Sequence, residues 1–172
     1  MPQTTPAPIP AAIPARHPIR PDERSGMLHP RNAERFAATW LDPHPSVADV
    51  VDTYWHVTWA LPPGERIDQR IIDQPAVTLT LESGDVPAPL VITGVQRGAW
   101  RRRITGSGSV FAIRLRPAGL GVVSDLEVRE LADATTPVTR ALDARVHRLL
   151  TTIEPATDAT ARALAADAAI RA

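Results

Sequence analysis

Apolar and polar residues alternate with a period of two through the middle of the chain, and the period lengthens to that of a helix toward the end. Phe36, Trp40 and Leu41 run into Asp42-Pro43-His44-Pro45, which predicts a first strand and then a turn. Ser46 reads as the N-cap of a short helix carrying Val47, Val50 and Val51. From Tyr54 to Trp59 the odd positions are apolar, and Leu61-Pro62-Pro63-Gly64 supplies a turn. Ile67, Gln69 and Ile71 alternate with Asp68 and Arg70. Val77, Leu79 and Leu81 alternate with Thr78, Thr80 and Glu82, the cleanest one-sided pattern in the chain. Further strands are predicted over 90–95, 99–104 and 110–116, broken by Gly98 and by Gly106-Ser107-Gly108. Strands at roughly 8 to 12-residue spacing with tight turns predict an antiparallel sandwich or barrel, since a parallel sheet needs helical crossovers.

Beyond Pro117 a short helical turn is predicted around 119–123. Thr136-Pro137 then offers a hydroxyl N-cap with proline at the first helical position. Val138, Leu142, Val146, Leu149, Leu150 and Ile153 follow as one stripe of a helix ending before Pro155. That stripe is wide enough either to pack on the sheet or to form a dimer seam, not both. Asp158 is placed to cap a last, alanine-rich helix whose weak apolar face calls for another chain to cover it. The fold class is therefore mainly β with C-terminal helices. Residues 1–30 form a proline-rich arm, 31–133 the β domain and 134–172 the helices.

Composition narrows the function. Pro2, Pro6, Pro8, Pro10, Pro14, Pro18, Pro21 and Pro30 interrupt the leader, so it has no continuous apolar stretch of the kind a secretory signal needs. With no apolar run near the roughly 20 residues of a membrane helix, a cytoplasmic, membrane-free protein is expected. The absence of cysteine excludes disulfides, thiolate metal sites and cysteine nucleophiles. All 19 basic residues are arginine, balanced by 19 acidic ones. A protein that grips phosphates usually carries a basic excess, so this segment is not expected to bind DNA by itself.

No cofactor is called for. His17, His29, His44, His56 and His147 include no pair spaced to share a strand face or a helical turn, so no metal site is expected. No nucleophile elbow appears, and Gly106-Ser107-Gly108 lies between strands rather than before a helix, so no catalytic residue is singled out. Glu82 reads as solvated. Trp55 and Trp59 share one face of their strand, and Trp100 and Phe111 lie on neighbouring strands. With Leu79 and Leu81 these rings either fill the β domain as core or line a cavity for a small ligand. In Arg101-Arg102-Arg103 alternation puts Arg102 beside Trp100 and Ile104. An inward Arg102 needs a carboxylate or an anionic ligand to offset its desolvation.

Together, Val51, Tyr54 and Trp55, then Trp59-x-Leu61-Pro62-Pro63-Gly64, the stretch Arg70 to Leu81, and Gly108-x-x-Phe111-x-x-Arg114-Leu115-Arg116-Pro117-x-Gly119 resemble the N-terminal regulatory domain of AraC-family transcription regulators. The resemblance runs from about residue 35 to 153. It implies a cupin-like barrel that binds a small-molecule effector, trailing helices that make a homodimer, and DNA contact through a further helix-turn-helix region. The 172 residues contain nothing resembling a recognition helix. The expected effector site is Trp55, Trp59, Leu79, Leu81, Trp100, Arg102 and Phe111. The expected dimer seam is Val138, Leu142, Val146, Leu149 and Leu150. The alternatives are a metal-free cupin-like enzyme and a purely structural dimerisation module.

Overall fold

The computed structural model describes residues 28–72 and 75–172. Their strands are β1 (Ala37–Leu41), β2 (Val51–Ala60), β3 (Arg66–Ile71), β4 (Thr78–Gly84), β5 (Leu90–Thr93), β6 (Trp100–Thr105), β7 (Ser107–Leu115) and β8 (Thr135–Pro137). Six of them form an antiparallel sheet in the order β1-β2-β7-β4-β5-β8, and β3 and β6 pair as a separate two-stranded ribbon. The fold is thus mainly antiparallel β with C-terminal helices, as the periodicity predicts. The closed barrel is not formed: among the described residues no ladder joins ribbon to sheet.

Register assigns each side chain to a face. On one face of the large sheet, Tyr54, Ile113, Leu79 and Ile92 stand in a cross-strand row, with Phe111 opposite Leu81 and Leu81 opposite Leu90 in the next. Tyr54 and Phe111 stack at 5.7 Å. Helix α1 (Leu120–Val123) follows β7; helices α2 (Ala144–Ile153) and α3 (Ala159–Arg171) close this face, and Val146, Leu149, Leu150, Ile153, Ala163 and Ala166 join its core. Because β7 is covered on both sides, Val110 to Leu115 are all buried, and that strand loses its alternation of exposure.

The C-terminal region begins differently from its sequence reading. Thr135–Pro137 is strand, not helix start, and Pro137 sits on the edge strand β8, where its missing N–H costs no ladder bond. α2 starts seven residues later under Asp143, whose carboxylate accepts from Arg145 N and Val146 N at 2.8 and 2.9 Å. The supposed dimer seam is spent internally, because Val138, Val146, Leu149 and Leu150 are buried in this chain's own core; Leu142, in the turn before α2, is 37% exposed. α3 is capped by Asp158, as predicted, and its Ala163 and Ala166 pack into this chain's own core. Its Asp167 is buried and accepts from the Tyr54 hydroxyl at 2.8 Å and from His44 N at 3.2 Å.

The proline-rich arm read over 1–30 lies outside the described residues as far as residue 27. From there Leu28 N bonds Arg70 O at 2.9 Å, and the 3-10 turn Pro30–Arg35 follows the ribbon, with Asn32 Nδ2 on Gln69 Oε1 and Arg35 on Arg66 O.

Asp143 ties two regions together. Burial opposes its charge, but the Ser124 hydroxyl at 2.5 Å and the N–H groups of Val146, Asp125 and Arg145 outweigh that and hold its carboxyl below the usual range. A depressed folded-state value makes this stability present above the ordinary carboxylate range near pH 4 and lost as pH falls through the folded value. Asp143→Ala is expected to cost about 2 kcal/mol at pH 7, measured by urea unfolding, with a smaller difference from wild type at pH 3.

Candidate functional site

The second face of the large sheet has a different chemistry. It carries Thr53, Trp55, Val57 and Trp59 from β2, Gly108, Val110, Ala112 and Arg114 from β7, Thr78, Thr80 and Glu82 from β4, and Val91 and Thr93 from β5. Thr53, Thr78, Thr80, Glu82 and Arg114 are all buried here, whereas the helix-covered face buries an almost wholly apolar set. The ribbon turns a matching face toward it: Ile67 pairs with Ile104, Gln69 with Arg102 and Ile71 with Trp100, while Arg66, Asp68, Arg101 and Arg103 stand on the outer side.

The ribbon is tied down at two points. Arg102 makes a fork-to-fork pair with Glu82 at 2.9 and 2.6 Å, the two side chains being 14% and 4% exposed. Thr80 donates to the same carboxylate at 3.0 Å, and the Arg102 guanidinium lies 5.9 Å from the Trp59 ring centroid. Trp59 also donates its indole N–H to Thr105 O at 2.9 Å. Its ring occupies the space over Gly108, where a Cβ would come within 2.5 Å of it, so only glycine fits opposite this indole. Farther along, Arg114 bonds Asp52 at 3.1 Å and lies 5.7 Å from the Trp55 centroid. Gln69 is 4% exposed, and its Nε2 has no hydrogen-bond partner.

An open cleft of about 510 Å3 lies beside this space, lined by Glu34, Arg35, Phe36, Ala37, Thr58, Trp59 and Ala60. Phe36 and Trp59 belong both to the cleft and to the apolar cluster between sheet and ribbon.

The sequence-derived site divides accordingly. Trp55, Trp59, Trp100 and Arg102 share the inter-sheet side. Leu79, Leu81 and Phe111 point the other way, into the core under the helices, because Phe111 pairs with His56 and Leu81, whereas Trp55 pairs with Ala112. Arg102 finds its counter-charge in Glu82, which is buried rather than solvated. Sequence reasoning missed Gln69, Thr80, Arg114 and Trp40, the last standing opposite Trp55 on the same side of the sheet. The alternation along β3 sets Gln69 on one side with Ile67 and Ile71, and a polar residue on that apolar side is the signal. Among the described residues no three His, Asp or Glu side chains are grouped to hold a metal, and no helix is long and apolar enough to cross a membrane.

Fold and site together define a two-sheet antiparallel domain with a helix-sealed core on one side of its main sheet and a polar, tryptophan-bearing space on the other. The chain belongs to the family described as Domain of unknown function (DUF6597), whose profile matches residues 40–137. The matched stretch runs from within β1 to the end of β8, and so covers both walls of that space but neither α2 nor α3. No match is found among curated proteins or among solved structures.

Proposed function

We propose that the chain is the effector-sensing domain of an AraC-type transcription regulator, a non-enzymatic cytoplasmic module whose small-molecule ligand enters between sheet and ribbon. The observation that carries this reading is the contrast between the two faces of one sheet. A sheet built only for stability gains nothing from burying threonines, an arginine and a glutamate where aliphatic side chains would serve, nor does the ribbon facing it gain from burying a glutamine with an unpaired donor. Buried polar groups among tryptophans are what a small-molecule site requires.

Output runs through β2. Trp55 faces the proposed ligand, and its neighbour Tyr54 faces the helices and holds Asp167 of α3. A ligand that shifts β2 changes the docking of α3, and with it the geometry of a homodimer and of an attached helix-turn-helix region. With Val138, Val146, Leu149 and Leu150 buried, a dimer would use outward positions such as Leu164, which is 62% exposed.

The rival reading is a structural module whose interior is filled by its own side chains, and the close seating of Trp59 on Gly108 favours it. Thermal-shift screening of flat and amphipathic small molecules separates the two. The sensing reading expects hits at 100 times Kd to stabilise by about 2.7 kcal/mol and Trp55→Ala to abolish the shift; a library with no stabiliser supports the structural module.

A further inference from the structure

We infer that the space between sheet and ribbon selects a neutral, flat ligand that presents a hydrogen-bond acceptor to Gln69 Nε2, and discriminates against anions and cations. This rests on the reading that the space binds a small molecule, and concerns which class it takes.

The charges that face the space are already matched. Arg102 is held at both nitrogens by Glu82, and Arg114 by Asp52. A ligand carboxylate reaching for Arg102 must displace Glu82, and the displaced carboxylate, 4% exposed, would be stranded without its cation. A ligand ammonium seeking Glu82 strands the guanidinium in the same way. The aromatic faces that could attract a cation are engaged as well, since Arg102 lies over Trp59 and Arg114 over Trp55.

Two buried side-chain donors lack partners among the described residues, Gln69 Nε2 and Arg70 Nε; the register puts Arg70 opposite Arg101 on the outer side of the ribbon, so the unmet donor on the side of the space is the neutral amide. Gln69 Oε1 accepts from Asn32 Nδ2 at 2.8 Å, which orients the amide and leaves Nε2 over. Its strand register puts Gln69 opposite Arg102, on the ribbon face turned toward the sheet. A buried donor of this kind is satisfied by a carbonyl or ring-nitrogen acceptor. Trp100, on the same side of the ribbon and not one of the two indoles covered by a guanidinium, suits a planar body for that acceptor.

Calorimetric titration of the whole chain with four matched probes tests this: indole-3-acetamide, indole-3-acetate, tryptamine and 3-ethylindole. The amide is expected to bind about tenfold tighter than each of the others. Gln69→Leu should weaken the amide about tenfold, to the level of 3-ethylindole, with little change in the melting temperature of the free protein, because loss of the unpaired buried donor offsets loss of the Asn32 bond. Glu82→Gln keeps an acceptor for Thr80 but frees the Arg102 charge, so indole-3-acetate should become the preferred probe. Should Glu82→Gln fail to fold, Gln69→Leu decides alone. Wild-type binding of the acetate or tryptamine as tight as that of the amide, or an unchanged amide affinity in Gln69→Leu, overturns the neutral-ligand inference and leaves the binding space standing. Silence from all four probes overturns it too, and if the wider screen is also silent the sensing reading falls with it.

Discussion

Glu82→Ala is expected to destabilise the protein by about 3 kcal/mol, the largest loss from any single substitution outside the apolar core. The variant leaves Arg102 with 14% of its side chain exposed and no carboxylate, over an indole that cannot replace a counter-ion. Thr80 loses its acceptor at the same time. For a domain of this size the loss corresponds to a fall of roughly 6–12 °C in melting temperature. The double substitution Glu82→Leu with Arg102→Met should recover most of it, because an apolar pair of similar volume avoids the desolvation cost of both ions. Urea unfolding of wild type, single and double variants measures this; a double variant no more stable than Glu82→Ala would show that the pair does more than balance charge.

Asp167→Ala should loosen α3 without unfolding the sheet, at a cost of about 2–3 kcal/mol. The buried face of α3 is alanine, which gains little on burial, so the helix depends on its carboxylate, which takes the Tyr54 hydroxyl and the His44 amide. Hydrogen exchange should show protection lost over residues 159–171 and kept over β2 and β7. Tyr54 adds a pH signature. Burial, then the bond to Asp167 and its charge, push the phenol far above its ordinary value. A raised folded-state value means stability is fully present below about pH 10 and lost as pH rises above it. Tyr54→Phe should flatten that alkaline loss while lowering stability at neutral pH.

These two buried carboxylates mark the limit of what the sequence discloses. The strands were legible because β3 and β4 each have one apolar side and turn residues at both ends. Asp158 before a run of good helix formers made the start of α3 legible as well. Face assignment was not legible in β2 and β7, which bury residues on both sides, so Trp55 and Phe111 look equivalent until the register sets them on opposite faces. Thr136-Pro137 satisfies the helix-start rule as well as Asp143 does, and only the edge position beside β5 decides for strand. Glu82 looked like a surface charge and Asp167 drew no notice, because their partners, Arg102 at 20 residues and Tyr54 at 113, are distant in sequence.

The most direct test of the account follows the side-chain signals of both faces while the strongest stabiliser from the thermal screen is titrated. The indole N–H resonances of Trp55, Trp59 and Trp100 should move together, with the methyl groups of Leu79, Ile113 and Leu150 shifting little until α3 responds. Methyl groups under the helices moving first, with the indoles still, would place the ligand on the wrong side of the sheet and contradict the account.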